Sequence, residues 1–155
     1  MRTPRNALAA AGIAAVAVAA LLAAQAGPSG TQSVLGPAQL AATWTSPVGG
    51  SITFGRDHSF AASGLRLGRF WAPCAGAGTI AVSGTWQFLA ANGDSGLNPA
   101  GAMVGLAFAG TAGNAALGCT GGGIKLTTWN AGSTPGLCLQ FDPDTPCDGY
   151  IFSKQ

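Results

Sequence analysis

Charge is what this chain has least of. Only 8% of its 155 residues are charged, glutamate is absent, and His58 is the one histidine. Beyond residue 26 the basic side chains are Arg56, Arg66, Arg69, Lys125 and Lys154; the acidic ones are Asp57, Asp94, Asp142, Asp144 and Asp148. These cancel, so the formal +2 of the whole chain comes from Arg2 and Arg5. A neutral domain exerts little long-range pull on polyanions, which argues against nucleic acid as a partner. A single histidine leaves acid–base chemistry near neutral pH with one candidate. No stretch after residue 26 carries apolar residues at helical spacing over a useful length, which argues against helical folds. The four cysteines lack the paired C-x-x-C spacing of zinc sites. Gly121-Gly122-Gly123 runs into Ile124-Lys125-Leu126 with no Gly-Lys-Ser/Thr ending, so no phosphate loop is present. No cofactor or metal is expected.

What the chain does have begins with an export signal. Arg2 and Arg5 give a basic start, and residues 7–24 are an uncharged Ala/Val/Leu run. Ala24-Gln25-Ala26 then sets small residues where signal peptidase cuts. The alternative is an uncleaved anchor, since the run approaches spanning length. Cleavage after Ala26 is the reading adopted, giving a secreted, extracellular protein with no membrane attachment afterwards. No cysteine near the cut supports lipid attachment, and Arg2 and Arg5 are not adjacent as a twin-arginine signal requires. Residues 27–37, rich in Gly, Ser, Pro and Gln, read as a flexible lead. Residues 38–155 read as a single domain, large enough to bury a sizeable core.

Abundant glycine, 25 in the whole chain, and many β-branched and aromatic residues point to an all-β domain. The longest strand-like run is residues 78–89, in which Ile80, Val82, Gly84, Trp86 and Phe88 fall on one side at period two. Further strands are expected at 39–46, 51–54, 59–63, 102–109, 124–130, 137–141 and 149–153. Tight turns are expected at 48–50 and 55–58 and long loops at 91–101 and 110–123, while the less regular stretch 64–77 reads as a strand followed by a loop tied down by Cys74. Three Thr-Trp pairs, at Trp44, Trp86 and Trp129, each precede a strand ending in Phe: Phe54, Phe108 and Phe141. Eight strands joined mainly by short turns fit an up-and-down antiparallel β-barrel, which leaves no exposed edge. A two-sheet β-sandwich needs the same alternation and is the alternative.

In an exported chain, Cys74, Cys119, Cys138 and Cys147 point to two disulfides with three possible pairings. Cys138–Cys147 across a short Pro-containing turn, with Cys74–Cys119 joining two Gly-rich loops, is the preferred arrangement. The second bridge would close the longer loop and restrict the unfolded chain by about 4 kcal/mol on the entropic model.

Gly84-Thr85-Trp86, together with Gly50-Ser51-Ile52-Thr53-Phe54, the run at 55–65 and the C-terminal run at 141–154, resembles small exported β proteins of actinobacteria with no established function. More remotely, Gly-Thr-Trp at a strand start is similar to the eight-stranded barrels of the lipocalin and streptavidin superfamily. The resemblance implies a barrel with one open end and no particular ligand.

Four groups of residues are candidates for chemistry. Asp57-His58-Ser59 contains triad residue types, but sequence neighbours do not make a triad and a polar hairpin turn uses the same residues. Asp142, Asp144 and Asp148 crowd one loop as calcium ligands do, without the full calcium-loop pattern; a capped turn is the simpler reading. Their sharing of one turn also argues against a glycosidase pair. Arg66, Arg69, Phe70 and Trp71 form the one basic–aromatic patch, able to stack on a planar ligand or simply to point arginines outward. Trp44, Trp86 and Trp129 with Phe54 and Phe108 either line a cavity or fill the barrel. Trp129 alternates with the apolar set Ile124, Leu126 and Thr128, which turns it to the other face.

The sequence therefore reads as a secreted, monomeric, non-catalytic barrel. Its expected role is to bind a small apolar or aromatic ligand at an open end mouthed by loops near 66–78 and 110–122, with Trp44, Phe54, Phe70, Trp71, Trp86 and Phe108 as contacts. The alternative is a scaffold or inhibitor whose loops contact another extracellular protein. On this reading the exported protein begins at Gly27, and its intact mass rises on reduction by the hydrogens of two disulfides. N-terminal sequencing and mass spectrometry check both; Met1 retained with free thiols would overturn them.

Overall fold

The computed structural model describes residues 31–69, 72–90, 95–109, 122–131, 134–140 and 150–155. Within them the strands are β1 Thr31–Gln32, β2 Thr43–Thr45, β3 Ser51–Phe54, β4 Ser59–Leu65, β5 Ile80–Leu89, β6 Ser95–Asn98, β7 Met103–Ala109, β8 Gly123–Ala131, β9 Thr134–Gln140 and β10 Ile151–Lys154. Helix among the described residues is limited to one turn, α1 Pro37–Leu40, and to 3-10 turns at Leu67–Arg69 and Ala72–Cys74.

Strands β2, β3, β4, β5, β7, β8, β9 and β10 pair antiparallel in chain order, and β10 returns to β2. The result is a closed, eight-stranded, up-and-down barrel. A sandwich would break the ladder into two sheets, whereas here it runs unbroken round the ring. The seam joins Ser153 to Thr45 and Lys154 to Trp44. It is extended by Gln155 N–H donating to the Thr43 carbonyl at 3.0 Å and by Lys154 Nζ donating to the Gln39 carbonyl at 2.7 Å.

Alternation in the sequence becomes burial in the barrel. In β3, Ile52 and Phe54 are buried and Thr53 is exposed; in β4, Phe60 and Ala62 are buried between exposed Ser59, Ala61 and Ser63. The period then slips by one residue, because Leu65 rather than Gly64 turns inward. A register shift against β5 lies between Ala62 and Leu65, and Gly64 has φ 67°. That is a β-bulge built on a left-handed glycine, which an L side chain would strain. The largest fully buried side chains are Trp44, Trp86, Tyr150, Phe88 and Phe152, all in one continuous cluster. Both tryptophans also satisfy their indole N–H: Trp44 donates to Leu40 O at 2.9 Å and Trp86 to Gly55 O at 3.0 Å. Removing either ring would cost about 3–5 kcal/mol.

Several expectations need correction at the barrel's ends. The first strand, expected over 39–46, is only Thr43–Thr45. Pro37 starts a helical turn with its fixed φ, and Gln39 Oε1 accepts the Gly36 N–H at 2.8 Å. The lead expected to be flexible is partly tied down: Thr31–Gln32 pairs with Asn130 and Trp129, and Leu35 is buried and exchanges two backbone hydrogen bonds with Gly101. Strand β1 continues the ladder along β8 where β7 has run out, since Met103 of β7 reaches only Thr127. The loop expected at 91–101 contains β6, paired to β5 at Phe88 and Leu89. Expected strands at 102–109, 124–130, 137–141 and 149–153 are observed as β7 to β10 with shifts of one to three residues at their described ends. The three tryptophan hairpins are also not equivalent: Trp129 is only half-buried, lies outside the core cluster and leaves its buried Nε1 without a hydrogen-bond partner.

Gly84 shows how tightly the wall is drawn. A Cβ there would collide with the Ala107 carbonyl oxygen and meet Ala109 N at 2.8 Å. Gly84→Ala is expected to lower unfolding free energy by about 2–3 kcal/mol. Gly76→Ala, where nothing lies within 4 Å, is expected to stay within about 0.5 kcal/mol. Urea denaturation of the two variants checks the contrast.

Candidate functional site

An up-and-down barrel sends alternate connections to opposite ends. The turn between β3 and β4 and the segment between β5 and β7 share one end with α1; the turns at 46–50 and 66–79 share the other. The strand ends flanking residues 110–121 and 141–149 also lie at this second end.

At the first end the Asp57-His58-Ser59 group is a folded turn. Asp57 Oδ1 accepts from Ser59 N at 3.1 Å and from Ser59 Oγ at 2.6 Å. Those bonds, the side-chain one foremost, hold the Asp57 carboxyl below its ordinary pKa although it is fully exposed. His58 adopts φ 65° and stacks on Trp86 with ring centroids 4.4 Å apart. Its Nδ1–H donates to the Trp86 carbonyl at 3.2 Å, and Trp86 N–H donates to the His58 carbonyl at 2.8 Å. The aspartate is spent on Ser59 and the imidazole on Trp86, so the triad geometry is not formed.

The expected ligand contacts divide. Trp44, Phe54 and Trp86 are sealed in the core, where Phe54 and Phe88 meet the Trp86 ring edge-to-face at 6.1 and 5.4 Å. Phe108 is half-buried and packs on the core beside Phe60. Phe70 and Trp71 lie outside the described residues, as do Cys119, Phe141, Asp142, Asp144, Cys147 and Asp148. Cys74 and Cys138 are fully buried and neither is a free thiol. Among the described residues, no group of three His, Cys, Asp or Glu side chains could hold a metal ion.

At the second end is an open cleft of about 360 Å³ lined by Arg66, Gly68, Arg69, Ala75, Gly78 and Thr79. Leu67 and Cys74 are fully buried beneath it and pin the two 3-10 turns to the core. The Arg69 N–H donates to the Arg66 carbonyl at 3.2 Å. In a 3-10 turn residues i and i+3 eclipse, so Arg66 and Arg69 share a face. Neither is buried, and no described residue of the lining is acidic.

Arg66 is further positioned by two residues that sequence reading missed. Tyr150 Oη accepts the Arg66 N–H at 3.0 Å and donates to the Gly49 carbonyl at 2.5 Å. The Arg66 side chain lies across Gly49, where a Cβ would stand 3.3 Å from Nε. Gly50 next to it makes room for the phenol, since a Cβ there would be 2.9 Å from Tyr150 Oη. Tyr150 and Gly49 stand 101 positions apart, so spacing gave no signal beyond the oddity of a sole tyrosine beside a terminal strand.

No family model, no curated protein and no solved structure matches this chain. The site must be judged on its own geometry.

Burial raises the Tyr150 pKa above its ordinary value of 10.0, and the Arg66 hydrogen bond and charge offset this only in part. A pKa raised by folding contributes stability that is complete below the unfolded value and is lost as pH climbs through the folded one. Phenolate absorbance, which reports only this tyrosine, should therefore appear at higher pH in the folded protein than in denaturant. Stability should fall above pH 10, and Tyr150→Phe should flatten that fall. Coincident folded and denatured titrations would contradict the assignment.

Proposed function

We propose that the protein is a secreted, disulfide-stapled, non-catalytic barrel that binds a small apolar or aromatic ligand at the end carrying Arg66 and Arg69. The observation that carries this reading is the division of labour between interior and mouth. The large rings that could have walled an internal cavity pack against each other, while the open cleft lies at the loops between β4 and β5. Its volume falls within the range of small-molecule sites. Phe70 and Trp71, which follow Arg69 directly in sequence, remain proposed ligand contacts on their chemistry alone.

Export rests on the N-terminal signal pattern, and the proposed bridges remain Cys74–Cys119 and Cys138–Cys147. Non-catalytic character rests on the Asp57 and His58 side chains being engaged in turn and stacking contacts. A monomer is proposed because closure leaves the eight-stranded wall no free edge for a partner.

The test is titration of the mature, oxidised protein with a panel of neutral aromatic probes, read by intrinsic fluorescence. Saturable binding that Trp71→Ala weakens at least tenfold supports the reading. Saturable binding weakened instead by Trp86→Ala, with the variant's fold intact, would place the ligand inside the barrel. Absence of saturable binding with a recovered extracellular protein partner would favour the scaffold alternative.

A further inference from the structure

We infer that residues 31–36 form a detachable strap: they leave the barrel as one unit, hinged at Gly36, while the eight-stranded wall stays closed. This holds wherever a ligand binds. Its first support is the joint. Thr31 and Gln32 pair with Asn130 and Trp129 on the part of β8 that reaches past Thr127, where β7 ends. Leu35 adds two backbone hydrogen bonds with Gly101, at 3.0 and 3.1 Å. Its side chain is the anchor, only 4% exposed, whereas neighbouring Val34 is 68% exposed. Among the described residues, one anchoring side chain and a two-pair ladder hold the strap, whereas β9 grips β8 over seven pairs. Segments held so lightly open locally, well below the free energy of global unfolding.

The second support is that the barrel holds its own bonds on both sides of the strap. Gly36 gives its N–H to Gln39 Oε1 and its carbonyl accepts from the N–H groups of Gln39 and Leu40, so the hinge belongs to α1. That turn is itself bound to the wall, by the Trp44 indole donating to Leu40 O and the Lys154 ammonium to Gln39 O. On β8 the Thr128 hydroxyl bonds the Ser33 carbonyl, yet the Ala102 carbonyl stands 3.1 Å from the same hydroxyl and accepts the Thr128 N–H at 2.8 Å. Thr128 therefore keeps an acceptor when the strap lifts. Ser33 Oγ is buried in the docked strap without a hydrogen-bond partner, and release returns it to water. Release also uncovers the backbone of β8 from Thr128 to Asn130, an edge that an extended segment can pair with.

The experiment is native-state hydrogen exchange of the mature, oxidised protein, followed by NMR at low urea. The Leu35 and Gly101 amides report the strap, since they are bonded to each other's carbonyls; those of Trp86 and Leu139, bonded to His58 O and Tyr150 O, report the wall. Leu35 and Gly101 are expected to share one protection factor, at least a hundredfold below those of Trp86 and Leu139. Their exchange should depend little on urea, because opening the strap exposes little surface. Ser33→Ala should raise the strap's protection about threefold by removing the unpaired hydroxyl. Leu35→Ala should abolish it while Trp86 and Leu139 stay protected. Protection of Leu35 and Gly101 equal to that of the wall, with the same steep urea dependence, would overturn the inference. So would unequal protection of Leu35 and Gly101, or loss of wall protection together with the strap's in Leu35→Ala.

Discussion

Everything in this fold hangs on the seam where β10 meets β2. Seven of the eight wall pairings connect strands that follow one another round the meander; the eighth joins residues 151–154 to residues 43–45. Only two residue pairs carry its ladder, and it is reinforced at the end beside α1. Lys154 reaches over to the Gln39 carbonyl with its ammonium 5.9 Å from the Trp44 ring centre, and Gln155 donates to Thr43. Close by, Tyr150 and Phe152 stack at 4.9 Å, which places the last strand's rings in the core rather than on it. Without the seam, β2 and β10 would each present unpaired backbone to solvent, and the rings of Trp44 and Phe152 would lose a wall.

The same seam organises the proposed site. Tyr150, buried just before β10, ties the β2–β3 turn at Gly49 to the start of the Arg66 turn through its hydroxyl. Sealing the ring and setting the arginine are therefore one event. At the opposite end His58 lies over Trp86, whose indole reaches the Gly55 carbonyl.

The wall was legible in the sequence because its signal is local. Ser51–Phe54 stands where alternation of Ile52 and Phe54 put it, and β5 matched the run Ile80, Val82, Trp86, Phe88 because each of those side chains is buried. The ends were not legible, for a common physical reason. β1 and β6 exist because β8 and β5 extend beyond their neighbours and leave backbone groups for any extended segment to satisfy, whatever its composition. The slip after Ala62 and the turn at Pro37–Leu40 are likewise set by what the ring requires at its rim. Of the site, Arg66 and Arg69 were visible as the one basic–aromatic patch, and Trp129 as the ring facing away. Gly49 and Tyr150 acquire meaning only once the ring is closed.

The seam also fixes the order of events in making the protein. Residues 43–45 emerge early in synthesis and must wait for 151–154, so the nascent chain carries two raw edges until its final strand is complete. Contacts of such sequence separation are slow to form. Until then residues 43–45 leave one side of their backbone unpaired, an edge on which another chain could add a strand.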